Sequence, residues 1–184
     1  RRPGIVSRGY GGSGKDPRPV SCDSDPRDVG DEPVLLARRG GCPVFVGHDR
    51  VAAARALLAG NPRCDVVISD DGLQHLRLAR EMEIVVVDSR GFGNGWPLPA
   101  GPLRECPHRI ATADAVVLNG DSAALPEDIA GPTVFRMSLA GALLRNVRNP
   151  ARSCAPENLR GLSLHAVAGI GEPERFFRSI EQFG

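Results

Sequence analysis

The sequence has little lysine, few aromatic side chains and no long apolar run. Lys15 is the only lysine, aromatic residues make up 4% of the 184 positions, and Lys+Arg 23 against Asp+Glu 22 leaves a formal net charge of +1. A near-neutral chain without a basic run does not carry the electrostatic footprint of a nucleic-acid-binding protein. No apolar segment approaches the length of a membrane span. The composition is that of a globular protein.

Closely spaced cysteine pairs are also missing. Zinc sites and disulfide frameworks usually show such pairs, so we expect neither, and a reducing compartment fits the chain. The cysteines are odd in number and scattered, at Cys22, Cys42, Cys64, Cys106 and Cys154.

Short apolar segments alternate with helical patterns along the chain. Continuous apolar strands of this kind are typical of a parallel sheet covered on both sides, so we predict an α/β fold with a mostly parallel sheet and helices on both faces. Strands are predicted at residues 4–7, 43–46, 66–68, 84–87 and 115–118, and helices at 34–39, 50–59 and 173–183.

Three regions are predicted. Residues 1–132 form the core domain, and residues 133–152 form a β-hairpin linker that turns near Gly141 and ends in an irregular stretch. Residues 153–184 begin a second α/β domain, in which 162–168 is predicted as a strand with His165 in its core.

Two adjacent carboxylates end the third predicted strand. Asp70 and Asp71 follow the apolar run and are followed by Gly72. The carboxyl ends of parallel strands border the ligand crevice, and neighbouring carboxylates repel each other unless a cation compensates them. In a nucleotide enzyme that cation is Mg²⁺. The alternative is that the two acids begin a turn or cap a helix.

A second acidic pair, Asp31 and Glu32, precedes a helical run. Acids in this position are favoured by the helix dipole alone. In a parallel sheet, however, this helix would start on the same edge as Asp70, where a carboxylate suits a general base or a metal contact.

The glycine-rich segment 9–15 fits the spacing G-x-x-x-x-G-K of a phosphate loop. We reject that function because Asp16 stands where Ser or Thr would bind Mg²⁺, and Pro17 prevents the helix whose N-terminus faces the phosphates. We expect a mobile loop, with Arg8 and Tyr10 at its base able to contact a substrate.

The Gly- and Pro-rich segment 92–105 is long for a simple connection, and long loops in compact domains tend to be functional. Arg104 could hold a phosphate. We expect the apolar side chains of Phe92, Trp96 and Leu98 to pack as a satellite core, with a membrane interface as the alternative.

With these motifs in view, the chain resembles the tetraacyldisaccharide 4'-kinase family, the lipid A 4'-kinases of Gram-negative bacteria. Five blocks in the family's order carry the resemblance and span nearly the whole chain. They are Arg-Pro-Gly-Ile-Val-Ser-Arg-Gly-Tyr-Gly-Gly at 2–12, Gly-Asp-Glu-Pro at 30–33, Asp-Asp-Gly-Leu-Gln-His at 70–75, Leu-Pro-Ala-Gly-Pro-Leu-Arg-Glu at 98–105 and His-Ala-Val-Ala-Gly-Ile-Gly at 165–171.

The resemblance implies a P-loop fold and an enzyme that uses ATP and Mg²⁺. Such an enzyme phosphorylates the 4'-hydroxyl of a tetraacylated glucosamine disaccharide 1-phosphate, the lipid A precursor, at the cytoplasmic face of the bacterial inner membrane. It implies peripheral contact with that membrane, no nucleic acid and no protein partner. The family's phosphate loop precedes the first block, so we expect an internal fragment that is inactive by itself.

The resemblance also implies residue roles. Asp31 resembles the catalytic carboxylate that accepts the hydroxyl proton, and Glu32, Asp70 and Asp71 resemble metal-binding acids. The residues that resemble substrate contacts are Arg8, Tyr10, Gln74, His75, Arg104 and Glu105. Two alternatives remain open: another P-loop ATPase or ligase, and a non-catalytic nucleotide- or lipid-binding module.

Overall fold

The computed structural model describes residues 1–14, 16–120, 123–127, 129–138, 141, 143–149, 151–170 and 173–182. The chain divides into two compact units, Arg1–Glu83 and Ile84–Gly184. The sequence-based boundaries after residues 132 and 152 differ from this division, because the third and fourth predicted strands, at 66–68 and 84–87, fall into different units.

The first unit is built on a four-stranded sheet of order β2-β3-β1-β4. Strand β1 is parallel to both β3 and β4, and β2 is antiparallel to β3. The elements are β1 (Pro3–Ser7), β2 (Arg18–Val20), α1 (Pro26–Val29), α2 (Asp31–Gly40), β3 (Val44–Val46), α3 (Arg50–Gly60) and β4 (Val66–Ser69).

Alternate residues of these strands face different helices. Ile5 and Val44 are register partners and pack with Val34 of α2. The next residue of β1, Val6, points to the other face and packs with Leu57 of α3. The prediction of helices on both faces of a mostly parallel sheet is therefore confirmed for this unit.

The second unit contains a separate three-stranded sheet of order β5-β6-β7, in which all strands are parallel. Its elements are β5 (Ile84–Asp88), a 3-10 helix (Pro107–Thr112), β6 (Ala115–Asn119), β7 (Thr133–Met137), β8 (Leu144–Arg145), β9 (Ser153–Cys154), a 3-10 helix (Pro156–Leu159) and α4 (Pro173–Glu181).

Strands β5 and β6 of this sheet are buried on one face, whereas all residues of β7 are exposed. Val87, Val116 and Leu118 pack in a core cluster, whereas Val86 of β5 and Phe135 of β7 are more than half exposed on the opposite face. Among the described residues, this sheet therefore packs against a core on one face only, and only through β5 and β6.

The linker prediction differs from the structure. Residues 133–137 do not form an arm of a hairpin, because they pair in parallel with β6, with Thr133 opposite Ala115. The antiparallel pair is formed by β8 and β9 instead. Gly141 is described, but residues 139, 140 and 142 around the predicted turn lie outside the described residues.

The predicted strand at 162–168 is not formed, and His165 is exposed instead of lying in a core. An apolar run becomes a strand only when another strand pairs with it, and no such pairing involves these described residues. Within the described ranges, no helix has both the length and the apolarity of a membrane span. All five cysteines are free thiols.

Candidate functional site

Three strand ends of the first unit converge at one edge of its sheet. The N–H of Asp70, directly after β4, donates to the carbonyl of Val6 in β1 over 2.9 Å. The N–H of Gly47, directly after β3, donates to the carbonyl of Ser7 over 3.1 Å. The hydroxyl of Ser7 donates to Oδ2 of Asp70 over 3.1 Å. The Asp70 carboxylate is therefore tied to the end of the central strand β1.

The turn that follows β4 has little conformational freedom. Asp71 has a φ of 47°, in the left-handed region that residues other than glycine rarely adopt. A Cβ at Gly72 would lie 2.4 Å from Oγ of Ser69, so only glycine fits there. Asp70 and Asp71 do begin a turn, as the alternative proposed. Strained backbone of this kind is nevertheless concentrated at functional sites.

Asp31 is the first residue of α2, and Glu32 is the second. Oδ1 of Asp31 accepts the N–H of Glu32 over 3.0 Å, and both side chains are exposed. The residue before them, Gly30, has a φ of 88°, and a Cβ there would lie 2.6 Å from the carbonyl oxygen of Tyr10. The start of α2 therefore packs against the segment that leaves β1.

The segment 7–10 thus connects the two acidic positions. Ser7 at its beginning hydrogen-bonds to Asp70, and Tyr10 at its end lies against the residue that precedes Asp31. The expectation that both acids border one edge of the sheet agrees with this placement.

A complete metal site is not preassembled. Among the described residues, no group of three or more His, Cys, Asp or Glu side chains is arranged to hold one ion. The predicted set of Glu32, Asp70 and Asp71 therefore does not form a coordination sphere by itself. Asp70 and Asp71 still fit Mg²⁺, because this ion is usually bound by one or two carboxylates together with substrate phosphates and water.

The glycine loop after β1, which we predict to be mobile, is hydrogen-bonded to the main chain of the protein. Its N–H groups are used by the protein itself: Gly12 donates to Gly9, Ser13 to Arg27 over 2.8 Å, and Gly14 to Asp28 over 3.1 Å. N–H groups that point at carbonyls of the chain do not form a phosphate cradle. Lys15 lies outside the described residues.

The predicted substrate contacts of the first unit surround this edge. Arg8 and Tyr10 follow β1, and Tyr10 is 82% exposed. Gln74 is exposed in the loop after Asp71. The main-chain N–H of His75 donates to the carbonyl of Gly72 over 2.9 Å. Its Nε2 is buried without a hydrogen-bond partner in the described part of the chain.

Arg50 is a site residue that sequence reasoning missed. It is 4% exposed, and its guanidinium donates to the carbonyl of Asp70. Arg50 therefore lies behind the turn that Asp70 and Asp71 begin, which we call the acidic turn. Burial lowers its pKa, whereas the charges of Asp70 and then Asp71 act to raise it. Nothing in the local sequence distinguishes Arg50 from an arginine on the surface of a helix, because its burial depends on β4, which follows α3.

The loop 92–105 of the second unit is closed by its own backbone. Leu98 donates to Leu103 over 2.8 Å, and Leu103 donates to Trp96 over 3.2 Å. Trp96 is 64% and Leu98 67% exposed. Phe92 packs against the core cluster of this unit. The expected core packing is thus correct for Phe92 and wrong for Trp96 and Leu98, because the closed loop turns these two outward.

Arg104 and Glu105 lie in the second unit, whereas the acidic positions lie in the first. Arg104 is exposed. Glu105 forms an ion pair with Arg109 four residues later, over 3.5 Å. An exposed guanidinium at Arg104 is suited to a phosphate.

A family model for tetraacyldisaccharide-1-P 4'-kinases matches residues 1–184. The chain belongs to this family. It is 55% identical over 187 residues to a tetraacyldisaccharide 4'-kinase from Dechloromonas aromatica, covering 100% of this chain and 55% of that protein. Its counterpart in Azoarcus sp. is 51% identical over 182 residues, covering 99% of this chain and 53% of that protein. The chain spans about half the length of these relatives.

A solved member of the family has the same fold. A crystal structure of LpxK from Aquifex aeolicus in complex with ATP matches with a TM-score of 0.79 and 28% sequence identity. The match covers 98% of this chain and 58% of that chain. The α/β fold class expected from the resemblance is therefore confirmed.

Proposed function

We propose that the complete gene product carrying these residues is an ATP- and Mg²⁺-dependent lipid kinase. It phosphorylates the 4'-hydroxyl of a tetraacylated glucosamine disaccharide 1-phosphate, a step of lipid A biosynthesis. The observation that carries the proposal concerns the two ends of segment 7–10: Ser7 is hydrogen-bonded to Asp70, and Tyr10 lies against Gly30, the residue before Asp31. The chain that holds this arrangement belongs to the kinase family.

Asp31 accepts the proton of the attacking hydroxyl. Its carboxylate is exposed at the N-terminus of α2, so an acceptor sugar can reach it. The carboxylates of Asp70 and Asp71 bind Mg²⁺ together with phosphate oxygens, and Glu32 assists as a neighbouring acid. When bound, Mg²⁺ neutralises the charge that develops on the transferred phosphoryl group.

The remaining predicted residues bind the lipid substrate. Side chains of both units offer suitable chemistry, with cations for its phosphate and aromatic or polar groups for its sugars. They are Arg8, Tyr10, Gln74, His75, Arg104 and Glu105. The exposed Trp96 and Leu98 favour peripheral contact with the cytoplasmic face of the inner membrane, because an indole and an isobutyl group partition readily into an interface.

The test is Asp31→Asn in the complete gene product. We expect turnover to fall roughly 10²–10⁴-fold, the usual loss when a general base is removed, while the KM for ATP changes little because the base acts on the acceptor. Phosphate transfer from labelled ATP to the disaccharide lipid measures both constants. Asp23→Asn, at an exposed turn, is the matched control.

Two results would contradict the proposal. Near-normal turnover of Asp31→Asn would remove this residue from catalysis. ATP hydrolysis by the wild type without any transfer to the lipid would favour another P-loop ATPase or ligase, and ATP or lipid binding without turnover would favour a binding module.

A further inference from the structure

Arg50 carries a buried charge whose role the proposed function does not assign. It is the first residue of α3 and is 4% exposed. Removing a guanidinium from water is costly unless surrounding carbonyls or carboxylates compensate its charge. Arg50 lies at the same sheet edge as the acidic turn, so we looked for the reason for its burial in its contacts with that turn.

The guanidinium joins two strand ends that do not pair with each other. Its Nη1 donates to the carbonyl of Gly47 over 3.3 Å, and its Nη2 donates to the carbonyl of Asp70 over 3.1 Å. Gly47 follows β3 and Asp70 follows β4, and these strands lie on opposite sides of β1. One planar group therefore spans the central strand and fixes the main chain of Asp70 from behind.

Two features of the acidic turn are unfavourable by themselves, and Arg50 compensates both by its hydrogen bond and by its positive charge. Asp71 has a φ of 47°, which is unfavourable for a residue with a side chain. Asp70 and Asp71 are adjacent carboxylates, which repel each other when no cation lies between them. The hydroxyl of Ser7 holds the carboxylate of Asp70, and Arg50 holds its carbonyl and supplies a positive charge.

We propose that Arg50 is a positioning residue that fixes the Asp70–Asp71 turn so that both carboxylates face the metal of Mg²⁺-ATP. The metal part of this inference rests on the proposed function. Lysine cannot replace arginine here, because an ammonium lacks the planar fork that reaches two carbonyls at once.

The decisive variant is Arg50→Lys in the complete gene product, with Arg55→Lys on the exposed side of the same helix as the matched control. We expect faster amide hydrogen exchange in residues 66–75 and roughly 10-fold weaker binding of Mn²⁺ in the presence of ATP, as for other residues that orient metal ligands. Mass spectrometry follows the exchange, and the electron paramagnetic resonance signal of free Mn²⁺ gives the affinity. Arg55→Lys should match the wild type in both measurements.

Thermal unfolding establishes that the variants are folded. If Arg50→Lys does not fold, Arg50→Gln replaces it. Glutamine keeps an amide NH2 group but lacks the charge, and we expect the same changes in exchange and in Mn²⁺ affinity.

Unchanged exchange together with unchanged Mn²⁺ affinity would overturn the inference. Tighter Mn²⁺ binding would also overturn it, because the guanidinium would then act by repelling the metal. If the wild type binds no Mn²⁺ with ATP, the proposed function fails, whereas the exchange comparison still decides whether Arg50 fixes the turn.

Discussion

In the first unit, α2 and α3 cover opposite faces of the β2-β3-β1-β4 sheet. In the second unit, strands β5 and β6 are buried on the face of Val116 and exposed on the face of Val86, and β7 is exposed throughout. The polar residues of the first unit are held by hydrogen bonds between strand ends, as at Ser7 and Asp70. The loop 92–105 of the second unit is held by bonds within itself.

The difference separates two ways of placing functional side chains. In the first unit, we expect a change at the sheet edge to be transmitted to the core, because Ser7 belongs to strand β1 and Asp70 is hydrogen-bonded to both Ser7 and Val6 of that strand. In the second unit, we expect a change within the loop to remain local, because the main-chain bonds of Leu98 and Leu103 and the side-chain bond of Asn94 end within the loop. Substitutions that add one methyl group at a tight contact test this distinction.

The largest effect is expected for Gly30→Ala. Glycine has a φ of 88° there, and a Cβ would lie 2.6 Å from the carbonyl oxygen of Tyr10. We expect a loss of unfolding free energy of about 1–3 kcal/mol for the close contact, in addition to about 1–2 kcal/mol for the backbone conformation. Urea denaturation followed by circular dichroism measures the loss.

Gly41→Ala is the matched control for Gly30→Ala. Gly41 has a φ of 59°, but a Cβ there meets nothing within 4 Å, so only the backbone cost remains. Equal losses for the two variants would show that the contact between Gly30 and Tyr10 does not constrain the start of α2.

A smaller and more local effect is expected for Gly101→Ala. A Cβ there would lie 2.2 Å from both Oδ1 of Asn94 and the carbonyl oxygen of Trp96, so the loop must open by breaking internal hydrogen bonds. Trp96 is the only tryptophan, and its fluorescence reports the loop directly. We expect a shifted emission maximum with a loss of global stability below about 1 kcal/mol, since exposed loops contribute little to it.

Gly169→Ala serves as the control for Gly101→Ala, because a Cβ at Gly169 meets nothing within 4 Å. A loss of global stability at Gly101 as large as that of Gly30→Ala would mean that the loop is not independent of the rest of its unit.

The smallest effect is expected at Asp49, the N-cap of α3. The N–H of Ala52 most strongly lowers the pKa of Asp49 below 3.8, burial opposes this, and the N–H of Val51 and the charge of Arg77 add to the lowering. A lowered folded-state pKa means that the contribution to stability is present above pH 3.8 and is lost as the pH falls through the folded-state value. Asp49→Asn should flatten this part of the dependence of the unfolding temperature on pH, and an unchanged slope would contradict the assignment.

Much of the fold could be predicted because strands and helices have local periodicities. The strand predicted at 84–87 is observed as Ile84–Asp88, and the helix predicted at 50–59 as Arg50–Gly60. Strand β2 was missed because Arg18–Val20 contains a proline and is too short for a recognisable pattern. The hairpin prediction failed because the apolar pattern of 133–137 does not reveal its partner, and β6 pairs with it in parallel.

Candidate site residues could be predicted from the sequence where the reactive side chains are neighbours in the chain. Asp70 and Asp71 stand out next to each other in the sequence, and the resemblance supplies Asp31. The support behind them was not predictable, because Arg50 and Ser7 become part of the site only through contacts with a strand that lies far along the chain. The hydrogen bonds of the glycine loop were not predictable for the same reason, since Ser13 and Gly14 donate to the carbonyls of a helix that the sequence did not predict.

The hydrogen bond from Arg50 to Asp70 also bears on the order in which the chain folds. The two residues are 20 positions apart, and the guanidinium can leave water only after β4 has docked beside β1. Helix α3 can form earlier, but its first side chain stays hydrated until that docking is complete. We therefore expect the acidic turn to be among the last parts of the first unit to become ordered, and substitution of Arg50 to raise the rate of unfolding more than it lowers the rate of folding.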